Sequence, residues 1–143
     1  MKRFRSERGA ALLETAITLP LVLLVTIGAI EFGRAYQTWQ VITNAAREGA
    51  RIAVLPGVTD DAVNSRVVAY LSSGQLSAAN DATVTITRNN PLAIGTGAAT
   101  ASRVVVNYPF TFMMLQPVAQ LVVSGSTVGA PLTMSASALM RNE

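Results

Sequence analysis

The chain has 143 residues, half of them hydrophobic and only 13% charged, which suits one small domain with an apolar appendage. It contains neither cysteine nor histidine, so it has no disulfide, no thiolate nucleophile, no imidazole base and no imidazole metal ligand. Its net charge of +3 lies entirely in residues 1–9, and the rest balances seven arginines against seven acids, which argues against a nucleic-acid-binding surface.

The basic head Met1-Lys-Arg-Phe-Arg-Ser-Glu-Arg8 is followed by Gly9 and then by a run, 10–30, whose only charge is Glu14. Those 21 residues reach about 32 Å as a helix, enough to cross a bilayer core of ~30 Å. Eleven are Leu, Ile or Val. At about −0.3 to −0.6 kcal/mol each they favour insertion, against a penalty of ~2.5–3.5 kcal/mol for an acid at mid-membrane. Glu14 sits near one end of the run, where that penalty shrinks. Positive residues stay on the cytoplasmic side, so the chain after about residue 31 lies on the other. A removable secretory signal is the competing reading, but its apolar core would be shorter and its cleavage site would follow the core. Here the helical pattern continues past the run. Pro20, in mid-segment, removes one backbone hydrogen bond; it reads either as a harmless kink or as a point where the helix bends or unwinds during packing.

Beyond residue 30 the apolar positions Phe32, Ala35, Tyr36, Trp39, Ile42, Ala46, Gly49, Ala50 and Ala53 recur by threes and fours, an amphipathic continuation of the same helix over 31–56. Glu31 with Arg34, and Glu48 with Arg51, read as surface pairs at i,i+3. Pro56-Gly57 ends the helix, which is expected over about 10–55. Small residues at Ala45, Gly49 and Ala53 allow close backbone approach, either by the domain's own sheet or by a neighbouring subunit.

Residues 57–143 read as a small α+β domain. Thr59-Asp60-Asp61 is a helix start, with a cap and acids in the first turn rather than a metal site, and the helix runs to about Ser73 before Gly74. Period-two alternation marks three strands: around Val84 and Ile86; from Val104 through Val106, Tyr108 and Phe110 to Phe112; and from Leu132 through Met134, Ala136 and Ala138 to Met140. They predict a mostly antiparallel sheet with one wet face, covered by the upper half of the first helix. Pro109 belongs at an edge or a bulge. The stretch 89–102 reads as a loop, and 113–130 as a crossover with a short helix at 117–122. No Gly-x-Ser-x-Gly or phosphate-binding loop occurs, and the only lysine is Lys2, so no enzymatic activity and no cofactor are expected.

A basic leader ending in Gly9, Glu14 five places on, and an apolar helix running into a small α+β domain resemble a type IV pilin-like prepilin. The chain is most similar to the TadE-like pseudopilins of the tight-adherence (Tad/Flp) pilus system. The similarity rests on Arg8-Gly-Ala-Ala-Leu-Leu-Glu14, Leu19-Pro-Leu21, Gly28-Ala-Ile-Glu-Phe-Gly-Arg34 and Asn44-Ala-Ala-Arg-Glu-Gly-Ala-Arg51, and towards the end on the strands at 104–112 and 132–141. The resemblance implies that a prepilin peptidase removes residues 1–9 by cutting between Gly9 and Ala10. It implies a minor pilin or pseudopilin in the inner membrane, with its C-terminal domain outside the cytoplasm. Its partners would be other pilin subunits and the Tad inner-membrane machinery. It further implies that Glu14 pairs with the free amine of a neighbour's first residue. The alternative is an uncleaved anchor that displays a small binding domain.

Overall fold

The computed structural model describes residues 3–94 and 97–142; the side chains of 3–8, 92–94 and 97–98 lie outside that description, as do residues 1–2. The charged groups of the basic head therefore fall outside the described residues. The chain is α+β. Helix α1 (Arg3–Ala53) is followed by α2 (Asp60–Ser73), a short 3-10 turn (Ala79–Asp81), β1 (Thr83–Ile94), β2 (Gly97–Phe110), α3 (Leu115–Val122) and β3 (Leu132–Arg141). The three strands form one antiparallel sheet in the order β1-β2-β3.

By internal contacts the chain forms two units, 1–34 with 111–130 and 35–110 with 131–143. In the second unit the upper part of α1 lies on the sheet. Val104, Val106, Tyr108 and Phe110 of β2 are buried, as are Val63, Val67 and Leu71 of α2. These meet Ala35, Thr38, Ile42, Ala45, Ala46, Gly49, Ala50 and Ala53 of α1, whose spacing by threes and fours keeps one helix face inward. The expected stripe is thus rotated. Phe32, Tyr36 and Trp39 are exposed, Trp39 at 47%, while Thr38 takes the inward place. The reason is steric: small residues let the helix come close to the sheet, and bulk is supplied from the strands instead.

Helix α1 ends at Ala53, two residues before the expected end. One residue holds the turn that follows. Arg88 of β1 donates from Nη1 to the Ala53 carbonyl at 2.7 Å, from Nη2 to the Val58 carbonyl at 2.9 Å and from Nε to Asp60 at 2.8 Å. A cation there meets the negative end of one helix and an acid in the first turn of the next. Thr59 caps α2 as expected, accepting from the Ala62 N–H at 3.3 Å. At the other end Gly74 keeps φ −77°, and the left-handed residue is Gln75 at φ 61°.

The stretch 89–102 departs from expectation. It is mostly strand: β1 and β2 continue their ladder from Asn90↔Ala101 to Ile94↔Gly97, past a bulge between Thr87 and Asn90 where Asn89 has φ 56°. Residues 95–96, within that expected loop, lie outside the description. Its small residues gave no hydrophobic alternation to detect, yet the backbone ladder needs none. Pro109 sits on the central strand, paired with Thr133, but β1 begins opposite Asn107, so one side of Pro109 is a local edge.

Glu48 joins the two helices of this unit. Its carboxylate accepts from Arg51 Nε and Nη2 at 2.9 and 2.8 Å, and from Arg66 Nε and Nη2 of α2 at 3.2 and 3.0 Å. The hydrogen bonds from Arg51, reinforced by Arg66, lower its pKa from 4.5 to about 2, against a smaller opposing effect of burial. A carboxyl depressed in the folded state stabilises fully above its unfolded pKa and loses that contribution as pH falls through the folded one. The contribution of Glu48 should therefore disappear between pH 4.5 and about 2. Glu48→Gln should cost about 1 kcal/mol at neutral pH, discounted for the exposed arginines, and should flatten the acid limb of a pH–stability curve followed by circular dichroism. An unchanged acid limb would contradict the assignment.

Candidate functional site

The lower part of α1 is apolar on all sides. The segment Gly9–Ala53 is the one helix among the described residues long and apolar enough to cross a bilayer, with a mean hydropathy of 2.1 over its best window, none of it buried. Every residue from Gly9 to Leu23 is exposed. Its hydroxyls need no water: Thr15 donates to the Ala11 carbonyl at 2.9 Å, Thr18 to Glu14 at 2.6 Å and Thr26 to Val22 at 2.8 Å. The helix continues through Pro20, which lacks the N–H that would bond the carbonyl of Ala16.

Gly9 and Ala10 are exposed, and a Cβ on Gly9 would meet nothing within 4 Å. Both lie inside α1, which begins at Arg3 rather than at the expected residue 10. One turn further on, Glu14 occupies a shallow groove of about 400 Å³ lined by Ala11, Thr15, Thr18, Leu19 and Val22. Those positions share one helix face. Among the described residues the Glu14 carboxylate has no hydrogen bond and no ion pair. Glu14 is thus an acid on an apolar helix face, bordered by Ala11, Leu19 and Val22 and by the hydroxyl-bearing Thr15 and Thr18.

Further up the helix, Gly49 lies at the junction of α1, α2 and β2. A Cβ there would come within 2.7 Å of Val67 Cγ2 and 3.1 Å of Val104 Cγ1. Ala45 and Ala53 are buried on the same side. These three small residues face elements of their own chain.

Two residues of consequence escaped the sequence reading. Glu31, expected on the surface, is 4% exposed; its Oε1 accepts from the backbone N–H groups of Met113 and Met114, both at 2.8 Å, and its Oε2 lies 3.1 Å from Arg34 Nη1. It caps α3 from a distance, since α3 has no side-chain cap and no acid in its own first turn. The spacing 31, 35, 38, 42 placed Glu31 on the inward stripe and was the available signal. Arg88, the second, continues the inward parity of Val84 and Ile86. No group of three or more His, Cys, Asp or Glu able to hold a metal occurs among the described residues.

Against known families, the chain matches a family model described as TadE-like protein over residues 9–51. The match begins at Gly9, includes Ala10, Glu14, Pro20, Ala45 and Gly49, and stops before α2 and the sheet. No curated protein and no solved structure matches the chain. The TadE-like segment and the apolar helix together support a pilin- or pseudopilin-type role.

Proposed function

We propose that the chain is a minor pilin or pseudopilin of a Tad-type pilus. An inner-membrane prepilin peptidase removes residues 1–9 by cutting between Gly9 and Ala10. The mature chain is held in the cytoplasmic membrane by residues 10–30, continues as an amphipathic helix over 31–56, and carries its 57–143 domain outside the cytoplasm. It joins other pilin subunits and the Tad machinery through the N-terminal helix, and so starts or supports pilus biogenesis and adhesion.

The carboxylate of Glu14, without a partner among the described residues and set on an apolar, exposed helix face, carries this reading. Cutting after Gly9 creates an amine at Ala10, one helical turn away along the sequence. In a filament the amine of one subunit and the acid of its neighbour neutralise each other in a medium of low dielectric. Cleavage also strips the net positive head, which opposes withdrawal from the cytoplasmic face. Glycine suits the cut as well: it is about 1 kcal/mol less favourable than alanine within a helix, which eases local opening at Gly9.

One observation favours the plain anchor instead: α1 is unbroken from Arg3 through Gly9. The two readings separate on a single substitution. Gly9→Leu should block maturation in a host that makes the peptidase, leaving the membrane-bound protein heavier by its nine-residue head on intact-mass analysis. Two chains that both keep the head, and so differ only by the mass of the substitution itself, would favour the anchor.

A further inference from the structure

The segment 111–130 is the least explained surface of the protein. It has no charged residue, and none occurs anywhere between Arg103 and Arg141. Met113, Met114, Leu121, Val122, Val123 and Val128 are all exposed, Leu121 at 86%. In water this would be an unusually large apolar patch.

Its contacts with α1 proceed in order. The Thr111 carbonyl accepts from Arg34, the Phe112 ring meets Phe32 edge-on at 6.1 Å, and the N–H groups of Met113 and Met114 bond Glu31. Leu115 then lies against Gly28, its Cδ1 3.9 Å from where a Cβ would stand. Each step from Thr111 to Leu115 is a step back down α1. Leu115 arrives at the level of Gly28, inside the apolar run that ends at Ile30. Within that run, Leu24, Ile27 and Gly28 are the only residues not fully exposed.

Much of the backbone of the segment is paired within it or to Glu31. Beyond the two bonds to Glu31, Val118 N–H bonds Met114, Val123 bonds Ala119, Ser126 bonds Val123 and Ala130 bonds Thr127, while Val128 N–H bonds the Ser126 hydroxyl. Gly129, at φ 80°, returns so close to the start of α3 that a Cβ would come within 2.6 Å of the Gln116 nitrogen. Chain that pairs much of its own backbone and presents apolar side chains outward, with Gln120, Ser124 and Thr127 exposed among them, suits the boundary of a bilayer, where headgroups and water are in reach.

We propose that residues 111–130 are a second lipid-contacting element, lying against α1 in the leaflet on the domain side of the membrane, with Met113, Met114, Leu121, Val122 and Val123 among acyl chains. The proposal rests on the reading of residues 10–30 as membrane-spanning. Glu31 is then the joint of the element: it ties α3 to α1 at the height where the apolar run ends, and Arg34 accompanies its charge at the headgroup level.

The chain has no cysteine, so single labels are clean. An environment-sensitive fluorophore is placed on Leu121→Cys, on Val22→Cys in the apolar run and on Ser137→Cys on the exposed side of β3. Each full-length variant is reconstituted in phosphatidylcholine–phosphatidylglycerol vesicles. Quenching by doxyl-labelled lipid at Leu121 should fall within about twofold of that at Val22, with iodide quenching several-fold below that at Ser137. Because Leu121 touches little, its substitution leaves the fold intact. Iodide quenching of Leu121 with lipid quenching of Val22 would overturn the proposal and leave the spanning helix standing. Iodide quenching of Val22 would overturn both. Shielding of Leu121 from both quenchers, lost as protein is diluted in lipid, would show a second copy covering the segment and would also overturn it.

Discussion

Glu14→Ala should insert in the membrane and be processed normally, yet be almost absent from pili. The alanine chain loses an acid that costs up to ~2.5–3.5 kcal/mol at mid-membrane, so insertion can only become easier. What disappears, on the proposed pairing, is the carboxylate that would receive a neighbour's amine. In a low-dielectric contact an uncompensated amine is left behind, and each 1.4 kcal/mol lost lowers the assembled fraction about tenfold. Glu14→Asp keeps the charge on a shorter arm and should retain part of the assembly. The measurement is an immunoblot of sheared surface filaments against the membrane fraction. Normal incorporation of the alanine variant would remove the ion pair from the account, even with cleavage intact.

Gly49→Leu should destabilise the protein by about 3 kcal/mol or more. A Cβ at that position already comes within 2.7 Å of Val67 and 3.1 Å of Val104, before the rest of a leucine is added. Neither neighbour can yield cheaply, because both valines are fully buried and held by α2 and β2. Overpacking of this kind typically costs 1–3 kcal/mol, and the added bulk puts leucine at or beyond the top of that range. Gly49→Ala separates the two effects: its gain in helix propensity, about 1 kcal/mol, offsets much of the cost of the Cβ. Urea unfolding of the full chain in detergent, followed by circular dichroism, checks both variants. A leucine variant within about 0.5 kcal/mol of the unaltered protein would mean that α1, α2 and β2 do not converge at Gly49.

Much of the fold could be read in advance because its signals are local. The cap at Thr59 and the acids after it mark α2, and alternation of Val104, Val106, Tyr108 and Phe110 marks β2 and its buried face. Three features were not legible, each for a physical reason. The continuation of the hairpin through 89–102 is held by backbone pairing, and its Ala, Thr and Gly side chains show no period. The aromatic residues Phe32, Tyr36 and Trp39 matched a helical stripe, but hydrophobicity alone does not say that alanines will take the closest face. Glu31 and Arg88 act through partners 82 and 35 residues away, a separation that spacing along a helix or a strand does not reveal. Of the candidate site, Gly9, Ala10 and Glu14 stand out in the sequence because a lone acid in an apolar run violates the pattern around it, and among the described residues Glu14 has no partner that would explain it.

The most direct test is the identity of the first residue of the protein recovered from native membranes and pili. N-terminal sequencing, or mass spectrometry of the terminal peptide, should find Ala10, with its amine released for a neighbouring Glu14. Assembled protein that still carries the Lys-Arg head ahead of Gly9 would contradict the account.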